Sequence, residues 1–136
     1  MAKLNLEEYL AYKDLIKRHL SEIKVILDDI KNDLKDDTKR EENGKRCREI
    51  LGKINEIIKI WQNDLKKLIK DIPWEAIKNW QSDLSRLESW LSAGMSVKLH
   101  PYEKLNQEFI KVNTKLEFFQ KKVLPVLETR IRAINF

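Results

Sequence analysis

Two histidines, one cysteine and several adjacent carboxylate pairs are the side chains in this chain that could carry acid–base, nucleophilic or metal chemistry. A di-iron helical bundle places a Glu three residues before a His. Ile16 and Val97 occupy those positions before His19 and His100. His19 flanks an apolar stripe and His100 precedes Pro101, so packing or capping is expected of each. Cys47 stands between Arg46 and Arg48. Neighbouring cations lower a thiol pKa, but residues one apart point to different faces of a helix, and a buried, inert thiol is expected. Asp28-Asp29, Asp36-Asp37 and Glu41-Glu42 fall on outer faces or ends of predicted helices, where solvation accounts for them. Three isolated glycines build neither a phosphate-cradling loop nor a nucleophile elbow. No catalytic residue, metal or cofactor is expected, and the chain reads as non-enzymatic.

Binding chemistry has more material. Trp90 lies off the apolar stripe of its predicted helix, and exposed Trp is favoured at interaction hot spots. Met95, Val97 and Leu99 alternate with polar residues in a segment expected to run extended. These four are the candidate partner-binding residues. Cations form a second group. Lys39, Arg40, Lys45, Arg46 and Arg48 cluster near the start of the second helix, and Lys104, Lys111, Lys115 and Lys122 line the last helix with Phe118 among them. Cations around an aromatic suit phosphate contact and base stacking. Residues 38–72 carry ten basic and six acidic groups and residues 101–136 seven and four, so both regions are net positive.

These side chains must be positioned by helices. The 136 residues are 42% hydrophobic and 36% charged, with only three Gly and three Pro, a balance that excludes a membrane-spanning or disordered chain and disfavours an all-β fold. Asn5 with Glu8, and Thr38 with Glu41, have the spacing of capping boxes. Apolar spacings of three and four predict helices over about 5–35, 39–71, 73–92 and 101–135. Pro73 suits the first turn of the third helix. Pro125 lies inside the fourth, where its ring should clash with the carbonyl of Lys121 and kink it. Gly52 sits inside the second helix, where it would let a neighbour approach. The lengths match an all-α, antiparallel up-down-up-down four-helix bundle: three long helices, one short helix and an extended linker before the last.

A phrase repeats within this pattern. Residues 56–68 and 75–87 share eight of thirteen positions: Glu, Ile, Lys, Trp, Gln, Asp, Leu and Leu. In each copy the apolar stripe is spaced 3, 4, 3: Ile58, Trp61, Leu65, Leu68 and Ile77, Trp80, Leu84, Leu87. That spacing reads alike in both directions, so a hairpin folded about Ile72-Pro73 would pair Leu68 with Ile77, Leu65 with Trp80, Trp61 with Leu84 and Ile58 with Leu87. The repeat is therefore expected to be structural. The expected function is that of a small helical subunit or adaptor with a protein partner. The alternative is a nucleic-acid-binding accessory protein using helices 2 and 4. No membrane partner is expected, and self-association through the seam of helix 4 is possible but not required. The charged start, the lone thiol and the lack of a long apolar run point to a cytoplasmic setting.

Overall fold

The structure, a computed structural model, describes residues 5–66, 69, 70, 72–92 and 100–134. Helix α1 (Leu6–Asp33) opens on the expected capping box: Asn5 Oδ1 accepts the Glu8 N–H at 2.8 Å while the Glu8 carboxylate accepts the Asn5 N–H. The second expected box does not form. Asp36 instead caps the 3-10 turn that precedes helix 2, its Oδ1 accepting the backbone N–H of Thr38 at 2.9 Å and the Thr38 hydroxyl at 2.6 Å. A carboxylate oxygen accepts both donors at once, which draws Thr38 away from Glu41. A 3-10 turn, Asp37–Lys39, then leads into α2 (Arg40–Ile60). Helix α3 is Glu75–Leu91, α4 is Tyr102–Phe118 and α5 is Leu124–Ala133. There is no strand among the described residues.

The helices pack as a bundle, α1 on α2, α2 on α3, α3 on α4, and α1 again on α4 and α5. Cross-helix partners run in opposite directions in each pair. Arg46 bonds Asp33 and Lys53 bonds Glu22; Arg86 pairs with Glu108, Lys115 with Asp83, and Trp80 packs on Phe119; Lys13 pairs with Glu128 while Lys35 lies over Tyr102. Leu20, Ile23, Leu27, Ile50, Ile54, Trp80 and Leu84 are among the fully buried side chains of one continuous core.

Two π turns interrupt the α-helical hydrogen bonding, Trp61–Leu65 after α2 and Phe119–Val123 between α4 and α5. Their cause is legible in the core spacing. Ile57, Trp61, Leu65 and Ile69 are buried at four-residue intervals, as are Phe119, Val123, Leu127 and Ile131. An α-helix turns once every 3.6 residues, so successive steps of four drift off the core. A π turn takes in one additional residue and restores the phase. In α3 the core spacing is 3, 4, 3, 4 through Ile77, Trp80, Leu84, Leu87 and Leu91, and the helix is regular. The two copies of the repeat thus share residues but not backbone, because what flanks them differs.

This phasing corrects several expectations. Helix 2 does not continue to residue 71: the π turn ends at Leu65, and Ile69 and Lys70 are not helical. Ile57 takes the core position expected of Ile58, which is only half-buried, and Leu68 lies outside the described residues. Val126, expected from the spacing to end the core stripe of the last helix, is 43% exposed while Leu127 is fully buried. Pro125 follows the second π turn: the Leu124 N–H reaches back to the Phe119 carbonyl, and Pro125 falls in the first turn of α5, where no donor is needed. Gly52 faces open space, and Gly44 is the glycine at a close approach, where a Cβ would meet the Ser92 hydroxyl at 2.5 Å.

The hairpin register differs as well. Asn55 with Gln81, Arg48 with Glu88 and Gly44 with Ser92 are each equidistant from position 68, not from 72–73. Each α2 residue therefore faces a partner nine positions earlier in α3 than expected, roughly 13 Å along the helix. The helical rise of α2 stops short and Trp61 stacks on Trp74 instead of facing Leu84.

Candidate functional site

The structure brings two of the sequence-derived candidates, Trp90 and Arg40, together. Trp90 is half-buried, its ring 4.3 Å from that of His100. Its carbonyl accepts from Arg40 Nη2 while Arg40 Nη1 bonds the His100 carbonyl, both at 3.1 Å. Met95, Val97 and Leu99 lie outside the described residues. Of the cations near the start of α2, Arg40 is buried and Arg46 bonds Asp33 and Asn43 at 2.7 Å each. Arg48 bonds Glu88 at 2.6 Å, Lys39 pairs with Glu42 and Lys45 is exposed. On the last helices Lys111 bonds Glu108 at 3.1 Å and Lys115 bonds Asp83 at 2.5 Å. Lys104 and Lys122 are exposed, and Phe118, 36% exposed, stands edge-on to Phe119.

Much of the repeat lies in the core: Trp61, Leu65, Ile77, Trp80, Leu84 and Leu87 are all buried. Its two aspartates reach outward from the central hairpin in a related way: Asp83 of α3 pairs with Lys115 of α4, while Asp64 of the first copy lies beside Tyr9 and Tyr12 of α1. Burial, and then the Asp64 charge, raise both tyrosine hydroxyls above their ordinary pKa. Trp80 of the second copy has no exposed surface.

Trp61 of the first copy has a different setting. At the α2–α3 turn a concavity of about 630 Å³ opens to solvent. Its floor is Trp61, Ile69, Ile72 and Trp74, all buried in the bundle end. Trp61 and Trp74 stack with ring centroids 5.3 Å apart and planes 18° apart. Neither indole N–H has a hydrogen-bond partner, although both are buried. Such a donor costs about 1–3 kcal/mol of desolvation. The rim is exposed and polar: Gln62, Lys66, Lys70 and Glu75, with Pro73. Lys66 Nζ stands 5.7 Å from the centre of the Trp61 ring, a cation–π distance.

This concavity was not drawn from the sequence, which reads Trp61 and Trp74 as core stripe. A signal was nonetheless present. Two tryptophans bracket a short connection that carries Lys66 and Lys70, and the apolar steps of four entering it break the α-helical period.

Burial, and then the Glu88 charge, push the Cys47 thiol up to about 12, outweighing Arg48. The thiolate that a nucleophile requires is thereby suppressed. His19 is half-buried and its pKa is lowered, chiefly by burial. Among the described residues no three His, Cys, Asp or Glu side chains converge as metal ligands, and no helix is long and apolar enough to cross a membrane. The chain matches no protein-family model, no characterised protein and no solved structure with which it was compared.

Proposed function

We propose that this chain is a small, non-enzymatic interaction protein that engages a protein partner through the concavity at the α2–α3 turn. The bundle is read as up-down-up-down, with α4 and α5 together as its last helix, a topology supported by the opposed partner numbering of every neighbouring pair. A cytoplasmic setting fits the lone, reduced thiol.

The observation that carries the reading is the division of the concavity into an apolar, tryptophan-rich floor and an exposed polar rim. Protein interfaces have that anatomy, and buried Trp leads among hot-spot residues. The nucleic-acid alternative draws less support. Arg40, Arg46, Arg48, Lys111 and Lys115 already face carboxylates or carbonyls, which reduces the cation surplus open to phosphates.

Site-specific photo-crosslinking tests the reading. A benzophenone side chain at Gln62, on the rim, is expected to give a protein adduct in the native cells. The same group at Val25, exposed on the outer face of α1, is expected to give none. Equal adducts at both positions, or a nuclease-sensitive adduct at Gln62, would overturn it.

A further inference from the structure

From the charge and shape of this concavity we infer that it receives an acidic segment of the partner, an apolar side chain seated on the tryptophan floor and flanking carboxylates meeting Lys66 and Lys70. The inference rests on the proposed function and adds the chemistry of the occupant. Three observations carry it.

Among the described residues the rim has two ammonium groups against one carboxylate, Glu75, and all three are exposed. Most cations of the bundle are engaged by carboxylates: Arg46 by Asp33, Arg48 by Glu88, Lys53 by Glu22, Lys115 by Asp83. Lys66 faces an aromatic ring instead. An ammonium over a π face keeps donors free for an incoming anion. The rim thus complements negative charge.

The floor requires an apolar group. Trp61 and Trp74 present stacked indoles beside Ile69 and Ile72. A highly hydrated anion such as free phosphate would leave that surface uncovered, whereas a Leu or Phe side chain would bury it. The concavity lies within the roughly 300–1,000 Å³ range of ligand sites. Its exposed mouth suits a chain that enters and leaves more than a molecule enclosed on all sides. Glu75 repels acid from its part of the rim, so the carboxylates of the segment are directed to Lys66 and Lys70.

Solvent-exposed ion pairs are individually weak, so the charge preference is moderate. The test uses the whole chain, labelled with 15N, and three blocked tetrapeptides: Glu-Leu-Phe-Glu, Gln-Leu-Phe-Gln and Lys-Leu-Phe-Lys. The expected result is saturable shifts of the Trp61 and Trp74 indole N–H signals with the Glu peptide. Binding should be about fivefold weaker with the Gln peptide, as two surface pairs would give, and weaker still with Lys. The double variant Lys66→Glu, Lys70→Glu changes exposed side chains and leaves the core intact. It is expected to reverse the order. No indole shift at millimolar peptide, equal binding of the Glu and Gln peptides, or shifts confined to Trp80 and Trp90 would overturn the inference. A Gln62 protein adduct together with that negative result would retain the docking site and reject the acidic occupant. Absence of the adduct would reject the docking site itself.

Discussion

At the scale of single residues, small differences in surroundings separate side chains that look alike in the sequence. Gly44 and Gly52 are both helical, yet one faces Ser92 and the other nothing within 4 Å. Gly52→Ala is therefore expected to stabilise the fold by about 1 kcal/mol, because Ala gains helix propensity without a clash. Thermal unfolding should show a midpoint several degrees higher. Gly44→Ala should lower it, since the Ser92 hydroxyl would have to leave its bonds with Arg48 and Glu88. His19 supplies a pH dependence. Burial lowers its folded-state pKa below the ordinary 6.5, against the pull of Glu22 and Glu56 and with the help of Lys53 and Arg18. In the window between the folded and unfolded pKa the unfolded chain binds the extra proton, so stability falls as pH drops below about 6.5. Denaturant unfolding at pH 7.5 and 5.5 should show that loss, and His19→Gln should flatten it. An unchanged slope in the variant would reject His19 as the source.

At the scale of elements, helix existence was legible and helix phase was not. The Asn5 cap, the stripe of α1 and the regular 3, 4 spacing of α3 are strong local signals. The π turns escape a reading that counts threes and fours without adding up the rotation. Four steps of three and four keep the stripe in place, while consecutive fours carry Ile69 and Ile131 away from it unless the backbone absorbs a residue. The same reasoning explains why Ile57 outcompetes Ile58 and Leu127 outcompetes Val126. A deletion experiment follows. Removing exposed Gln62 from the π turn should convert it to a regular α turn with the downstream core still in phase, so circular dichroism and a cooperative melt should persist. Removing exposed Asn79 from α3 rotates Trp80 by about 100° relative to what precedes it and should abolish the cooperative transition. Equal damage from both deletions would show that the π turn stores no removable residue.

At the scale of the whole molecule, the sequence supports a bundle of helices, and the register of the α2–α3 hairpin had to come from the structure. The palindromic spacing of the repeat is satisfied by several alignments, and the contacts of Asn55 with Gln81 and Arg48 with Glu88 centre the observed one on position 68. Cysteines introduced at Asn55 and Gln81 should be joined by a short bismaleimide, whereas cysteines at Asp64 and Gln81 should not, and Cys47 is too buried to interfere. Linkage of the second pair in preference to the first would restore the alignment about Ile72-Pro73. The candidate site was least legible, because it is made by a turn where two stripes end, and tryptophans that face the core elsewhere form a floor there. The opposite end of the bundle has an engineering consequence. Arg40 ties the carbonyls of Trp90 and His100 together, one on each side of residues 93–99. Chain entering and leaving that connection is held by one guanidinium, which ties Trp90 and His100 to the start of α2. Replacing Arg40 would release both grips at once, which makes this guanidinium the natural place to install a destabilising switch, at the far end from the tryptophan floor.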